Sequence, residues 1–219
     1  MKVLITGISR GIGAGLVEEY LNRGDEVYGI GRSCPFDIPF YKIDLTNIEN
    51  LYKAIDSFDI NFDLAVLNAG ILGEIKLLKE WSVKELQDIF MVNVWSNKVL
   101  VDLLDGKVKK IVIMSSGAAV NGNPGWGGYA LSKCAVNMMV SIYSKEINTP
   151  IFAVAPGVID TDMVRKVISA DRGKFSSVVR VDKSRVELEI GVERLVKLFD
   201  NLDKFESGSF IDIRNVEFI

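Results

Sequence analysis

Apolar residues follow two rhythms along the chain. Short unbroken runs at Lys2–Thr6, Glu26–Ile30, Phe40–Ile43, Asp63–Leu67, Ile111–Met114, Pro150–Val154 and Ser209–Ile213 have the length and side-chain content of strands. Between them lie stretches with apolar residues on one helical stripe. The first carries Ile12, Leu16, Val17, Tyr20 and Leu21 and closes at Gly24. A second, with Leu51, Ala54, Ile55 and Phe58 inward, opens with a capping box from Thr46 to Glu49. A third opens with Ser82 and Glu85, runs unbroken through Leu86, Ile89, Phe90, Val94, Leu100 and Leu104, and stops at Asp105-Gly106. A fourth begins near Tyr129 with Cys134, Val136, Met138, Met139 and Ile142, and a fifth spans Glu187 to Asn201. The fourth run, Asp63–Leu67, is nearly continuous in apolar residues, as expected of a strand covered on both faces. Strand–helix alternation predicts an α/β protein with a doubly wound parallel sheet of seven strands and helices on both faces, in one domain over 1–219. Residues from about 162 to 186 have many charges and poor periodicity, and read as a short substrate lid, mobile when empty.

Composition narrows the chemistry. The net charge of -3 suggests neither nucleic acid nor an anionic membrane as partner. No apolar run is long enough to span a bilayer, and the first residues enter a strand directly, so a cytoplasmic protein is expected. Histidine is absent, which excludes histidine triads, bases and metal sites, and no metal is expected. Cys34 and Cys134 are too far apart in sequence for a redox or metal motif. A packed helical cysteine is the simpler reading of Cys134 than a reactive thiol.

The turn Thr6-Gly-Ile-Ser-Arg-Gly-Ile-Gly13 joins the first strand to the first helix. Such a turn presents backbone N–H groups and a positive helix end to a phosphate. Gly7 permits the turn, Gly11 lets backbone approach a pyrophosphate, and Gly13 lets helix and strand pack closely. Ser9, Arg10 and Ile12 complete the loop. Right-handed crossovers and this turn together imply a Rossmann-like strand order 3-2-1-4-5-6-7. The second strand ends at Arg32, where dinucleotide folds selective for NAD carry an acid. Arg32 and Arg10 read as ligands of an adenosine 2′-phosphate, hence NADP(H); the alternative is two solvated surface arginines.

Ile111–Met114 ends in Ser115 and Ser116, and a loop leads to Tyr129 and Lys133, four residues apart on one helix face. A cation beside a phenol would lower its pKa from about 10. Such a tyrosine could exchange a proton with an alcohol near neutral pH. Ser116 could bond the same oxygen.

Tyr129-Ala-Leu-Ser-Lys133 with Ser116 upstream resembles the core of the short-chain dehydrogenase/reductase family. The glycine turn, Asn68-Ala69-Gly70, Asn93 and Pro156-Gly157 followed by Thr161 occur in that family's order. The resemblance implies a catalytic tetrad of Asn93, Ser116, Tyr129 and Lys133, with Asn93 holding a water that relays protons to the lysine. It places Asp44 and Leu45 at the adenine, although Asp44 could serve only as a turn residue. Asn68, Ala69 and Gly70 would lie beside the cofactor, and Pro156, Gly157, Ile159 and Thr161 would meet the nicotinamide carboxamide. Pro124-Gly-Trp126, Asp160-Thr-Asp-Met163 and Ser207-Gly208 leading to Asp212 resemble the sepiapterin and benzil reductase branch. There Asp212 would anchor a substrate ring, or be an ordinary polar residue. Ile71, Leu72, Val120, Trp126 and Met163 are expected to line an open pocket for a hydrophobic carbonyl substrate; Trp126 could instead only pack its loop. The implied function is NADPH-dependent carbonyl reduction. Alternatives are a non-catalytic NADP(H)-binding regulator and a dehydrogenase oxidising a hydroxyl substrate. The family's long helices imply a homodimer or homotetramer.

Overall fold

A computed structural model describes residues 1–219. Its strands are β1 (Lys2–Thr6), β2 (Glu26–Gly31), β3 (Phe40–Lys42), β4 (Leu64–Leu67), β5 (Ile111–Met114), β6 (Ile151–Ala155) and β7 (Phe210–Asp212). All pair in parallel in one sheet, in the expected order β3-β2-β1-β4-β5-β6-β7. The helices are α1 (Gly11–Asn22), α2 (Ile48–Asp56), α3 (Val83–Phe90), α4 (Ser96–Leu104), α5 (Gly127–Glu146), α6 (Asp162–Ile168), α7 (Ser177–Lys183) and α8 (Leu188–Phe199).

The unbroken apolar strands are explained by two cores, one on each face. Val3, Ile5, Leu64, Val66, Val112, Met114, Phe152 and Val154 pack with α1 and α8 through Leu16, Val17, Tyr20, Val192 and Leu195. Their chain neighbours Leu4, Ala65, Leu67, Ile111, Ile113, Ile151 and Ala153 point the other way, onto α2, α4 and α5. Burying each Val, Leu or Ile is worth about 1.5–3 kcal/mol, so a polar residue on either face is disfavoured. The strands and the helices of the longer apolar stripes therefore follow directly from the apolar pattern. No helix is long and apolar enough to cross a membrane.

Three local expectations are corrected. Thr46 does not cap α2, because its N–H and hydroxyl both donate to Asp44 Oδ1, at 3.0 and 2.9 Å. Asn47 caps it instead, accepting from the Asn50 N–H. Ser82 and Glu85 do form their reciprocal capping box. The helix they open is interrupted, however: a π turn at Met91–Trp95 separates α3 from α4, with Asn93 at its middle. Residues 162–186, whose poor periodicity gives no helix signal, fold into α6 and α7, which pack on each other. Short helices of 7 residues leave little periodicity to read. Cys134 is exposed rather than packed, on the outward face of α5.

Candidate active site

The carboxyl ends of β1 and β4 are stitched together. Asn68 Nδ2 donates to the carbonyls of Thr6 and Gly7, both at 3.1 Å, and the Ala69 N–H donates to Thr6 Oγ1 at 3.1 Å. Asn68 thus serves the frame. Gly13 closes the cradle: a Cβ there would fall 2.2 Å from the Gly7 carbonyl and 2.6 Å from Asn68 Nδ2. The first turn of α1 has no side-chain cap and no acidic residue, and the N–H groups of Gly11, Ile12 and Gly13 have no protein acceptor. These orphan donors at a positive helix end fit a pyrophosphate. Ser9 and Arg10 are exposed above them.

Arg32 is exposed at the end of β2, near enough to Asp44 to act on its carboxyl. The Thr46 N–H and hydroxyl hold Asp44 below the usual carboxylate range, and Arg32 adds to this. Asp44 is therefore a turn-former with its position facing Arg32, and Leu45 is buried beside it. Arg10 reaches Asp162 at 3.5 Å, both side chains being well exposed. Ile159 is buried, and an isolated bridge to Val186 uses its neighbours Val158 and Asp160, leaving its own N–H and C=O without protein partners. Gly157 adopts a positive φ of 76°, and Thr161 caps α6 through the Val164 N–H. A free amide edge at Ile159 and a hydroxyl at Thr161 suit a carboxamide, so the whole rim fits a dinucleotide.

Tyr129 and Lys133 lie on one face of α5, both buried. The Lys133 ammonium sits 5.7 Å from the Tyr129 ring centroid and donates to the Met114 carbonyl at 2.7 Å. Ser115 is committed to Asn137 at 2.6 Å, whereas the Ser116 hydroxyl bonds the Tyr129 phenol. The expected direction of tuning is reversed in the chain by itself. Burial raises the Tyr129 pKa, with Ser116 pulling the other way, and burial pushes Lys133 down to about 8. The ammonium points its hydrogen bond at the strand, not at the phenol, so desolvation dominates.

Asn93 is fully buried with its carboxamide committed. Its Oδ1 accepts from the Ile71 N–H at 2.8 Å, and Nδ2 donates to the Ile71 carbonyl and to Ser132 Oγ, both at 2.9 Å. Ser132 in turn donates to the Tyr129 carbonyl at 2.8 Å. The side chain is thus a clamp between the loop after β4 and α5, and its own carbonyl already accepts from Asn97. Gly70 completes this corner, since a Cβ there would stand 3.3 Å from Asn93 Oδ1 and 3.4 Å from Lys133 Nζ.

Of the expected pocket residues, Leu72, Trp126 and Met163 join Tyr129 in a third apolar cluster with Val167 of α6, Val178 of α7 and Phe175 between them. Ile71 and Val120 are exposed and lie outside that cluster. Trp126 Nε1 donates to Ser177 Oγ at 2.9 Å, tying the loop before α5 to α7. Lys166–Glu74 and Lys174–Glu80 add surface ion pairs across the cleft. Asp212 is not a free anchor, because Arg214 Nε donates to its Oδ1 at 2.9 Å and Nη2 to its Oδ2. Ser132, Ser177, Phe175 and Arg214 were not foreseen. Ser132 falls inside the Tyr129–Lys133 motif, and its helical spacing from Tyr129 was the one signal available.

The buried Lys133 gives a pH prediction. Unfolded, a lysine holds its proton to about 10.4; here Lys133 holds it only to about 8. Between those values the unfolded chain binds more protons, so this contribution to stability rises with pH. Compared with Lys133→Met, the wild type is expected to gain Tm between pH 8 and 10. Melting both proteins at pH 7, 8.5 and 10 checks this, and a gap independent of pH would refute it.

The chain is similar to known proteins in sequence and in fold. The family model described as short chain dehydrogenase matches residues 1–172. The Bacillus subtilis protein named benzil reductase ((S)-benzoin forming) is 30% identical over 203 residues, covering 82% of this chain and 83% of that protein. Sepiapterin reductase of Bos taurus is 29% identical over 165 residues, covering 68% of this chain and 61% of that protein. The crystal structure of a short chain dehydrogenase family protein from Francisella tularensis superposes with a TM-score of 0.82 at 28% identity, covering 97% of this chain and 96% of that one.

Proposed function

The chain belongs to the short chain dehydrogenase family, in the branch of the benzil and sepiapterin reductases, and from the site just described we propose that it is an NADPH-dependent carbonyl reductase. It is an oxidoreductase on a fold that binds a nicotinamide cofactor. The observation that carries the finer reading is the buried Tyr129 phenol with Ser116 bonded to it and Lys133 beneath it. When bound, NADPH supplies the hydride to the carbonyl carbon.

In this reading the uncapped start of α1, with Gly7, Gly11 and Gly13, holds the pyrophosphate. Arg10 and Arg32 take the 2′-phosphate, Asp44 and Leu45 border the adenine, and Ile159 and Thr161 hold the carboxamide. Ser116 donates to the substrate oxygen and Tyr129 gives it a proton. Burial keeps that proton on Tyr129 near neutral pH, the state reduction needs; oxidation of an alcohol would need the phenolate. Lys133, charged below about pH 8, bonds the ribose and favours proton loss from Tyr129 as the alkoxide develops. Asn93 acts as a positioning residue through Ile71 and Ser132, because its carboxamide has no donor left for a water. α6 and α7 form the substrate lid, and the apolar cluster beneath it takes a hydrophobic carbonyl compound. Leu131, Met138 and Ile142 form an exposed apolar stripe on α5, which suits pairing with a second copy in a homodimer or homotetramer.

The test is the rate of NADPH against NADH oxidation with benzil, sepiapterin and simple aldehydes. NADPH-dependent turnover of a diketone or pterin is expected, and tight NADPH binding without turnover of any carbonyl would sink the reading. Arg32→Ser is expected to reduce the preference for NADPH over NADH by roughly ten- to a hundredfold, the worth of one charge-assisted hydrogen bond to the phosphate. An unchanged preference would leave Arg32 a solvated surface residue.

A further inference from the structure

The last strand brings to the site a group that no expectation placed there. Arg214, just beyond β7, is held by Asp212 in a bidentate pair, and its backbone N–H also donates to Asp212 Oδ1 at 3.1 Å. The Asp212 side chain is 9% exposed and that of Arg214 is 53% exposed. The carboxylate is thus the buried base of the pair, and the guanidinium is its accessible tip. Burial alone would raise the Asp212 carboxyl, but Arg214 outweighs it and holds it below the usual range. The pair is therefore permanently ionised near neutral pH.

This arginine lies against two glycines. A Cβ on Gly117 would stand 2.9 Å from Arg214 Nη2, and a Cβ on Gly157 would stand 3.6 Å from Arg214 Cγ. Gly117 follows Ser116, and Gly157 belongs to the loop read as the carboxamide site. The side chain therefore lies against both the loop after Ser116 and the loop of Gly157. A guanidinium has five N–H donors. Asp212 takes one from Nε and one from Nη2, and the others have no protein acceptor. Charged, unpartnered donors held by Asp212 against Gly117, the residue after Ser116, are suited to an acceptor oxygen on the substrate.

Resting on the reductase reading above, we infer that Arg214 is a specificity-determining residue that binds a second oxygen of the substrate, on the carbon next to the one reduced. The substrate class is a 1,2-dicarbonyl compound. Ser116 and Tyr129 hold the oxygen that becomes the alcohol, and Arg214 holds its neighbour. Asp212 acts through Arg214 as a positioning residue and does not touch the ligand.

The experiment compares benzil with deoxybenzoin, which has a methylene in place of one carbonyl, in wild type, Arg214→Gln and Arg214→Lys. The ratio of kcat/KM for the diketone over the monoketone is expected to fall about tenfold or more in Arg214→Gln, because an acceptor loses a charged donor. Arg214→Lys should recover part of it. A variant that loses both activities equally, with the ratio unmoved, overturns the inference and makes the pair structural. A fall in NADPH affinity at unchanged ratio overturns it too, by making Arg214 a cofactor ligand. Should the wild type turn over neither ketone, the reductase reading fails separately. Calorimetric titration of benzil into the NADP⁺-loaded protein then decides Arg214, expected to bind more weakly in Arg214→Gln; equal binding, or none, overturns the inference.

Discussion

Tyr129→Phe is expected to lower kcat by about 10²- to 10⁴-fold, the span of a positioned general acid, while NADPH affinity stays within a few-fold. The substitution removes one hydroxyl and keeps the ring. Its packing against Trp126, at 6.3 Å between centroids, and against the lid residues should persist. Tm should therefore change little, which separates chemistry from folding. The phenol's one partner in the chain is Ser116, so no buried backbone group is orphaned by the change. The measurement is single-turnover reduction followed by NADPH absorbance, beside a fluorescence titration of NADPH. Turnover near the wild-type rate would remove the proton transfer from Tyr129, and Ser116 would become the group to test.

Gly13→Ala should do the larger structural damage. The new Cβ would meet the Gly7 carbonyl at 2.2 Å and Asn68 Nδ2 at 2.6 Å, and neither can retreat. The Gly7 carbonyl is main chain, and Asn68 is tied to Thr6 and Gly7. Forcing one methyl into a packed site costs about 1–3 kcal/mol. For a chain of this size that is a fall in Tm of roughly 2–12 °C. Cofactor binding should be lost altogether, because relief of the clash must move the turn whose N–H groups are proposed to hold the pyrophosphate. A thermal melt with and without NADPH tests both halves: the variant should melt lower and gain nothing from NADPH. A variant that binds NADPH as tightly as wild type would show that the cradle tolerates the shift.

The legible parts of the site were local ones. Tyr129 and Lys133 share a helix turn, and Gly7, Gly11 and Gly13 share one loop, so spacing alone places them. Asn93 was legible as a polar residue in an apolar stripe. Its partners were not, since Ile71 and Ser132 are 22 and 39 positions away in the chain. The π turn around it has no helical-stripe signature, because one turn of altered pitch does not disturb the apolar pattern on either side. Thr46 against Asn47 was undecidable from the sequence, as both can cap and only the competition for Asp44 chooses between them.

The direction of the Tyr129 shift shows where local reasoning stops. Adjacency to a lysine predicts a lowered pKa, but burial is set by α6, α7 and the loop before α5 closing over the ring, and desolvation wins. Asp212 makes the same point. Its position matched the anchor of the resembling branch, yet its charge is matched by Arg214 two residues later, and only the fold turns that pair toward Gly117.

By itself, the sequence determined the strands, the helices that carry a long apolar stripe, the parallel order of the sheet and the glycine turn, because each rests on the period of apolar residues or on the backbone freedom of glycine. Tertiary structure alone decided α6 and α7 and their packing around Tyr129, the clamp at Asn93, the pKa directions of Tyr129 and Lys133, and the placing of Arg214 against Gly117. Those depend on which distant residues share a few ångströms and on how much water they exclude, quantities that no spacing along the chain encodes.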